Sequence, residues 1–345
     1  MLRVAFAKSD APARIVPPLK LKPWLWLPPQ LAHDLAPWGL PLIARAWGDP
    51  DIPQWDSRTW KGLRFPNPLG IAGGVDKNAR LIQAWWSLGA GFVEVGTITP
   101  KPQGPNSGVI LRRDLRQEAV WNRMGFPNEG VQKVARRLEA VFPFRRTPLF
   151  VNIGKNRETP LERAADDYGA TIETLCHLAD ALVINVSSPN TPGLRQLQGS
   201  QFLKEILVRA RRANTRDTPL LLKLSPDLHE QELRECLELS LDEGVSGFIC
   251  TNTTLQRPPG IQFPQEGGLS GRPLASISEL FLKQVMEVLG ERRRDLLIVS
   301  VGGISTLEDI LRRLVLGADL VQVYSRLILD GPLFFKRIAA ERFGP

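Results

Sequence analysis

The feature that most constrains the fold of this chain is the repeated alternation of short apolar runs with segments of helical periodicity. The runs span residues 69–72, 92–96, 149–153, 181–186, 220–224, 247–251, 297–301 and 320–324. Runs of this length, bounded by glycine, proline or polar residues, are typical of buried strands in a parallel sheet. A strand that alternates with a helix eight times predicts an α/β fold, a (β/α)8 TIM barrel.

The segments between the runs supply the helices and one long connection. Helical periodicity is present at residues 79–88, 161–178, 230–243, 274–289 and 306–316. The connection 99–127 is longer than an ordinary barrel loop and contains several prolines and glycines. Long ordered loops usually carry function, so we interpret this connection as an insertion over the barrel mouth.

Polar side chains follow every predicted strand, at the end where barrels of this kind place their active sites. The residues found there are Gly73 to Lys77, Thr97, Asn152, Asn185 to Asn190, Lys223, Ser225, Thr251 to Thr254, Gly302, Gly303, Tyr324 and Ser325. A barrel core requires no amides, hydroxyls or lysines at these positions. Their presence at all eight strand ends therefore predicts a ligand site at the barrel mouth.

The loop after the fourth run, residues 185–195, holds two amides and two hydroxyls close together. An amide offers a donor and an acceptor, so Asn185 and Asn190 are suited to a small planar ligand with carbonyl and N–H groups. Ser187 and Ser188 are the candidate proton acceptors, although a hydroxyl is a poor base at neutral pH and needs a relay. The structural alternative for each residue taken singly is an Asx or Ser turn.

Two glycine-rich segments point to a phosphate group. Gly302 and Gly303 precede a predicted helix, and with Tyr324 and Ser325 they match the phosphate site that barrels build after strands seven and eight. The segment 267–271 adds further amides that could cradle a phosphate. These features predict a phosphorylated cofactor, with Lys77 and Lys223 balancing a ligand anion or, alternatively, forming surface salt bridges.

Composition limits the other possibilities. Three cysteines lie apart without CxxC spacing, which indicates a reducing compartment and neither a disulfide framework nor a zinc site. His33, His177 and His229 are far apart in sequence and predict no metal site. No run approaches the roughly 20 apolar residues of a membrane span. The net charge of +8 suits an anionic ligand, an anionic membrane surface or nucleic acid.

The N-terminal part differs in composition from the barrel, which we assign to residues 65–345. Residues 1–22 are basic and lack periodicity, so we interpret them as a loose extension, and residues 49–64 as a linker. Between them, residues 23–48 are rich in Trp and Leu and predict short apolar helices, each limited by Pro37 or Pro41. This module has either a packing role on the barrel or a face for membrane or lipid-like ligands.

Several segments, in one order along the chain, resemble the class 2, quinone-dependent dihydroorotate dehydrogenases of pyrimidine biosynthesis. The matching segments are Gly73-Gly74-Val75-Asp76-Lys77, residues 96–103, Asn122-Arg123-Met124-Gly125-Phe126, residues 185–195, Thr251-Asn252-Thr253-Thr254 and residues 267–274. The resemblance runs from about residue 31 to the C-terminus. It implies that dihydroorotate is oxidised to orotate in UMP synthesis, with a hydride passing from C6 to N5 of one FMN while Ser188 takes the C5 proton.

The resemblance also implies which residues bind each ligand. FMN would be held by Gly73, Gly74, Val75, Asp76, Lys77, Thr97, Asn152, Asn185, Lys223, Thr251, Gly271, Gly303, Tyr324 and Ser325. The substrate would be held by Lys77, Asn122, Arg123, Met124, Gly125, Phe126, Asn185, Asn190, Asn252 and Thr253. No metal is implied. The insertion would then act as a lid over the substrate.

The family likeness extends to partners and location. Residues 23–48 resemble the N-terminal module through which such enzymes meet the membrane and admit quinone. The implied protein is a monomer at the cytoplasmic face of a bacterial cell membrane, with a membrane quinone as partner and no nucleic acid. Two features depart from the pattern: residues 1–22 have no obvious counterpart, and Asn78-Ala79-Arg80 follows Lys77 where a glycine is more usual.

Three alternatives compete with this reading. The soluble class that reduces fumarate or NAD uses a cysteine base, but none of Cys176, Cys236 and Cys250 lies in the 185–195 loop. An FMN-dependent enzyme resembling the RNA dihydrouridine synthases would suit the sequence pI near 9.7, but the basic residues are dispersed rather than clustered. A barrel that binds flavin or membrane without turnover would not need Ser188 together with Lys77 and Lys223.

Overall fold

The computed structural model describes residues 22–344. The predicted loose extension therefore lies outside the described residues, except for Lys22. The strands are β1 (Arg58–Trp60), β2 (Leu63–Phe65), β3 (Leu69–Asp76), β4 (Phe92–Ile98), β5 (Leu111–Asp114), β6 (Ala119–Asn122), β7 (Leu149–Ile153), β8 (Ala181–Asn185), β9 (Leu220–Leu224), β10 (Gly247–Cys250), β11 (Gly268–Gly271), β12 (Leu297–Val301) and β13 (Leu320–Val323).

The helices alternate with the barrel strands, as the periodicity predicts. They are α1 (Pro29–Trp47), α2 (Ile82–Ser87), α3 (Val131–Val141), α4 (Ala164–Leu175), α5 (Ser200–Ala213), α6 (Glu230–Asp242), α7 (Ala275–Leu289), α8 (Leu307–Val315), α9 (Ser325–Asp330) and α10 (Phe334–Phe343). Short 3-10 turns occur as well, including Pro23–Leu25 before α1 and Arg272–Leu274 before α7.

Eight parallel strands close into a barrel in the order β3, β4, β7, β8, β9, β10, β12, β13, with β13 returning to β3. The predicted (β/α)8 barrel is confirmed, and all eight predicted runs are barrel strands. Their side chains are buried along almost the whole length because helices cover the outside and other side chains fill the inside. The carboxyl ends of all eight strands therefore meet at one mouth.

The opposite end of the barrel is closed by aromatic packing. The antiparallel hairpin β1–β2 lies within and just after the segment interpreted as a linker, and it carries Phe65 into the barrel. The Phe65 ring centroid lies 5.9 Å from that of Phe92 and 6.1 Å from that of Phe150. Among the described residues, this end of the barrel is therefore filled by side chains and the mouth is the end that is left open to a ligand.

The predicted insertion forms a sheet that covers the mouth. Strands β5 and β6 make an antiparallel hairpin, and β11 joins β6 as the third strand. The amides of Gly268, Leu269 and Ser270 were expected to be free for a phosphate. That expectation is wrong: the segment pairs with β6 in register from Gly268 with Asn122 to Gly271 with Ala119, and the Leu269 N–H donates to Thr254 O at 2.8 Å on the other side of β11.

The N-terminal module also differs from the prediction. Instead of several short helices it forms one 19-residue helix, α1, which contains both Pro37 and Pro41. Prolines four residues apart lie on the same helix face, so both missing N–H groups fall on one side of the helix. Pro41 is exposed and Pro37 partly exposed, so water can reach the backbone carbonyls that lose their partners there.

Candidate active site

A cavity with an empty volume of about 1070 Å³, including space open to solvent, lies between the barrel mouth and the sheet above it. Most of the predicted site residues line it: Gly73, Gly74, Lys77, Thr97, Asn122, Met124, Gly125, Phe126, Asn185, Ser188, Asn190, Lys223, Thr251, Asn252, Thr253, Gly271, Gly303, Tyr324 and Ser325. Four predicted residues, Val75, Asp76, Asn152 and Arg123, do not line it. The strand ends and the insertion thus meet around one site.

Asn152 lies beneath the cavity and holds two lining residues in place. Its Oδ1 atom accepts hydrogen bonds from Thr97 Oγ1 at 2.6 Å and from Asn185 Nδ2 at 3.0 Å. Asn152 is fully buried, so neither bond competes with water. The Thr97 hydroxyl and the Asn185 amide are therefore fixed relative to each other before any ligand binds.

The floor of the cavity contains a charged group that the sequence analysis did not predict. Glu94, in the middle of β4, is fully buried and accepts hydrogen bonds from Asn152 Nδ2 at 2.6 Å and from Gln322 Nε2 at 2.5 Å. It also pairs with Lys223 Nζ at 3.2 Å. A single carboxylate inside an otherwise apolar strand was the available signal, because such a charge is buried only with partners.

Asp76 shapes the turn after the first barrel strand. Its carboxylate accepts hydrogen bonds from the backbone N–H groups of Arg80 at 2.9 Å and Leu81 at 2.8 Å. Burial raises the pKa of Asp76, while these backbone bonds act in the opposite direction. The turn places Lys77 at the cavity wall, so Asp76 acts on the site through the backbone that carries Lys77.

Lys77 connects the cavity to the N-terminal module. Its Nζ lies 2.7 Å from Nε2 of His33, which is on α1. Burial lowers the pKa of Lys77 to about 8. The charge of Lys77, followed by burial, lowers the pKa of His33 to about 4. At neutral pH His33 is therefore uncharged and accepts a hydrogen bond from the Lys77 ammonium, a contact that the sequence could not predict across 44 positions.

The structure distinguishes the two serines that the sequence left open. Ser188 is buried, lines the cavity and accepts a hydrogen bond from the backbone N–H of Asn190 at 3.2 Å. The Ser187 hydroxyl instead accepts a hydrogen bond from Asn252 Nδ2 at 3.0 Å and does not line the cavity. Ser188 is therefore the hydroxyl of this loop that a ligand can reach.

Two further groups of the same loop have unused hydrogen-bonding capacity. Asn190 Nδ2 donates to Asn122 Oδ1 at 2.8 Å, which links the loop to the sheet above the mouth. The buried Asn190 Oδ1 and Thr191 Oγ1 have no hydrogen-bond partner among the described residues. Buried polar atoms are normally satisfied, so Asn190 Oδ1, which belongs to a cavity-lining residue, indicates a bound ligand or water, and Thr191 Oγ1, which lies outside the cavity lining, indicates a water molecule.

Arg195 joins this loop to the loop after β10. Its guanidinium donates to Ser187 O at 3.0 Å and to Thr253 O at 2.8 Å. It also forms an ion pair with Asp227 at 2.7 Å. Arg195 thereby fixes the spacing between the segment of Ser188 and the segment of Thr253. Arg195 is a half-buried cation for which the sequence analysis predicts no role.

Arg123 lies outside the cavity. Its guanidinium donates to Ser107 O at 2.7 Å and to Glu266 Oε2 at 3.1 Å. These contacts connect the insertion to the chain just before β11. The neighbouring Asn122 and Met124 do line the cavity, so Arg123 supports the wall that they form.

The far end of the cavity consists of backbone and hydroxyl groups. Gly303 adopts a φ of +70°, and a Cβ there would clash with Ala275 at the start of α7. Ser325 donates a hydrogen bond from Oγ to Ser270 Oγ at 2.8 Å. Close backbone approach and exposed amides suit an anionic group such as phosphate. Among the described residues, no group of His, Cys, Asp and Glu is arranged to hold a metal ion.

Comparisons with known proteins identify the family of this chain. The family model for dihydroorotate dehydrogenase matches residues 57–342. A relative from Acidithiobacillus ferrooxidans, dihydroorotate dehydrogenase (quinone), is 44% identical over 93% of this chain and 93% of its own length. A relative of the same name from Thermus thermophilus is 48% identical over 80% of this chain and 79% of its own length.

A solved structure of a protein from the same family is also similar to this chain. The crystal structure of DHODH in complex with ferulenol from Eimeria tenella superposes with a TM-score of 0.81 at 36% identity, covering 90% of this chain and 89% of that chain. These matches do not favour the RNA-modifying alternative. The family match spans the barrel and the sheet above its mouth, and the chain belongs to the dihydroorotate dehydrogenase family.

Proposed function

We propose that this protein oxidises (S)-dihydroorotate to orotate with a quinone as electron acceptor, in de novo synthesis of UMP. The names of its relatives support this activity. The observation that carries the proposal is the position of Ser188 in the cavity, while all three cysteines are buried and none lines it. A serine base supports the quinone class over the class that uses a cysteine base with fumarate or NAD.

The family is flavin-dependent, and the lining of this cavity fits FMN. The glycine-lined end suits the phosphate. Lys223 and Gln322 line the cavity where a polar ring could meet them, and Gln322 Oε1 has no hydrogen-bond partner within residues 22–344. The residues that hold FMN are Gly73, Gly74, Lys77, Thr97, Asn185, Lys223, Thr251, Gly271, Gly303, Tyr324 and Ser325, with Val75, Asp76 and Asn152 supporting them. Bound FMN supplies the two-electron acceptor for the C6 hydride.

Substrate recognition follows from the charge and the hydrogen bonds at the mouth. The protonated Lys77 binds the carboxylate of dihydroorotate, since an anion in a buried site requires a cationic partner. The amides of Asn122, Asn190 and Asn252 pair with the ring carbonyl and N–H groups. Thr253 and the wall from Met124 to Phe126 complete the pocket and exclude water.

Ser188 is the general base in this proposal. It takes the proton from C5 of dihydroorotate while its own hydroxyl proton passes to a water relay, and its hydrogen bond from the backbone N–H of Asn190 keeps the hydroxyl in place. Arg195 keeps this loop at a fixed distance from Thr253. The proton and the hydride leave adjacent carbons, so the position of Ser188 relative to Lys77 decides whether both can be removed from one bound substrate.

The N-terminal module is proposed to meet the membrane and admit quinone. It exposes large apolar side chains, with Trp26 75%, Trp38 76% and Leu42 69% exposed. Trp favours the bilayer interface, so this face suits peripheral binding at the cytoplasmic side of a bacterial cell membrane. No helix in residues 22–344 is long and apolar enough to cross a membrane.

The module, together with the preceding Lys22, contacts the barrel domain near the cavity. Lys22 Nζ lies 2.6 Å from Asp330 Oδ1, and Trp24 Nε1 donates to Ile328 O at 2.8 Å. Arg113, on β5, donates to the backbone carbonyls of Leu25 at 2.6 Å and Leu27 at 2.5 Å. Residues 23–48 are thus proposed to act as an access module fixed to a barrel domain of residues 65–345. The working unit is proposed to be a monomer.

Anaerobic mixing with dihydroorotate tests the proposed transfer of electrons from dihydroorotate to the flavin. The full-length protein with its bound flavin should lose the oxidised flavin absorbance when dihydroorotate is added without any acceptor. Ser188→Ala protein should retain its flavin but bleach far more slowly. A wild-type flavin that dihydroorotate does not reduce would contradict the proposal.

A further inference from the structure

Arg313, on α8, is a buried cation beneath the glycine-lined end of the cavity. It is 1% exposed. Its Nη2 donates to Ala275 O at 2.8 Å, to Ser278 Oγ at 3.0 Å and to Gly302 O at 3.3 Å. The guanidinium therefore joins the loop after β12 to the start of α7, the two segments that border the proposed phosphate position.

The charge of Arg313 is only partly balanced by the protein. Its nearest carboxylate oxygen, on Glu279, lies 3.9 Å from Nε. Glu279 also pairs with Arg312 at 2.9 Å and with Lys283 at 3.5 Å. Arg312 has a second carboxylate partner, Asp309, at 2.6 Å.

This group therefore contains three cations and two carboxylates, a net charge of +1. The most deeply buried cation, Arg313, has the longest ion pair of the group. Burial lowers the pKa of Arg313 to about 10, with Glu279 acting in the opposite direction, so the side chain stays charged at neutral pH. Within residues 22–344, Arg313 has hydrogen-bond acceptors but no carboxylate closer than 3.9 Å, and a buried charge without a close counter-charge is costly, which indicates an anion nearby in the working protein.

The Gly302–Gly303 loop lies between Arg313 and the cavity. Its peptide dipole is oriented so that the positive end points away from Arg313. The carbonyl oxygen of Gly302 faces Arg313, and in a trans peptide the following N–H, that of Gly303, points the opposite way. Gly303 lines the cavity, and its N–H has no acceptor among the described residues. The guanidinium thus polarises a peptide whose N–H is available to a ligand.

We propose that Arg313 is a positioning residue that supplies positive charge to the phosphate of FMN from behind the Gly302–Gly303 loop. This charge makes the site select FMN over riboflavin, which has the same ring system without the phosphate. This inference rests on the proposed FMN site. It assigns a role in cofactor choice to a residue that does not line the cavity.

The test compares the dissociation constants of FMN and riboflavin for full-length protein, stripped of flavin and titrated by flavin fluorescence. Arg313→Met should weaken FMN binding by about tenfold or more, the ratio that corresponds to about 1.4 kcal/mol. Riboflavin binding should change by less than about twofold, within ordinary scatter for a distant neutral contact. Arg313→Lys, which retains a charge, should keep most of the preference for FMN.

Arg312→Met is the matched control, since Arg312 lies on the same helix and shares Glu279 but is 44% exposed in its side chain. It should leave the ratio of the two constants unchanged. If Arg313→Met does not fold, Arg313→Gln replaces it, because Gln keeps a donor for Gly302 O without the charge. With either neutral variant, a lower FMN preference supports the proposal.

Equal weakening of FMN and riboflavin would overturn the inference, because it would make Arg313 a brace for the loop. An unchanged FMN constant in the neutral variants would overturn it as well. Both results leave the proposed activity standing, since the wild-type protein would still bind FMN. A wild-type protein that binds neither flavin would contradict the proposed function and this inference together.

Discussion

Glu94 Oε1 lies 3.2 Å from Lys223 Nζ in the floor of the cavity, and both side chains are buried. The two residues come from β4 and β9, which are not neighbours in the barrel. The pair therefore bridges the barrel interior beneath the ligand. It fixes the Lys223 side chain at the surface that the proposed flavin would cover.

Replacement of Glu94 by Leu should destabilise the protein, because Lys223 would remain buried without its counter-charge. Breaking one side of a buried pair costs about 3–5 kcal/mol. The free energy of unfolding, measured in urea, checks this value. Glu94→Gln also removes the counter-charge but keeps an acceptor for Lys223, and a flipped Gln322 amide can present its Oε1 to the new donor, so this variant should be destabilised less than Glu94→Leu. Equal stability of Glu94→Leu and wild type would show that the pair does not form.

Ser188→Ala should lower turnover by about 10² to 10⁴, the usual contribution of a positioned general base. Flavin content should stay at the wild-type level, because the change removes one hydroxyl from a loop held by Arg195. The measurement is the steady-state rate of dihydroorotate oxidation. Ser187→Ala is the matched control, since the Ser187 hydroxyl does not line the cavity. If Ser187→Ala loses as much activity as Ser188→Ala, Ser188 is not the base.

Binding of dihydroorotate should weaken as the pH rises through about 8, the lowered pKa of Lys77. Only the protonated Lys77 attracts the carboxylate, so affinity is full below this pKa and falls above it. The fall should reach about tenfold per pH unit. The dependence of KM on pH shows whether the affinity for dihydroorotate falls as the pH rises. In Lys77→Arg the guanidinium stays charged, so this alkaline loss should disappear even if overall affinity is lower. An identical profile in both proteins would exclude Lys77 as the carboxylate partner.

Exchange of Trp26, Trp38 and Leu42 for Ser should reduce binding to phospholipid vesicles by about a hundredfold or more. Each large apolar side chain contributes on the order of 1.5 kcal/mol or more when buried. Sedimentation with vesicles measures the bound fraction. The control is Leu280→Ser with Val315→Ser, which changes two side chains that are 59% and 86% exposed elsewhere on the surface. Equal loss in both variants would mean that the N-terminal face is not specific for membrane.

The barrel was predictable because each strand is a compact apolar run and each strand end carries polar residues. The predicted runs 149–153, 220–224 and 297–301 coincide with β7, β9 and β12. Residues of the site that lie directly after strands could be found for the same reason. The rule that strand interiors are apolar hid Glu94, whose partners come from β7, β9 and β13.

Other features depend on contacts between distant segments, which a single sequence does not reveal. His33 and Lys77 belong to the N-terminal helix and the first barrel turn, and nothing in either segment indicates the other. Strand β11 is not among the predicted strands because its glycines weaken the strand pattern, and pairing with β6 overrides that preference. The burial of Arg313 did leave a signal in the sequence. Arg313 follows Ile310 by three positions, so both lie on the same buried face of α8.

The central claim is oxidation of dihydroorotate with transfer of electrons to quinone. The most direct test is turnover of dihydroorotate by the purified full-length protein in detergent, with a ubiquinone analogue, fumarate and NAD supplied in separate reactions. We expect rapid orotate formation with the quinone analogue alone. Preferential turnover with fumarate or NAD, or no orotate with any acceptor, would contradict it.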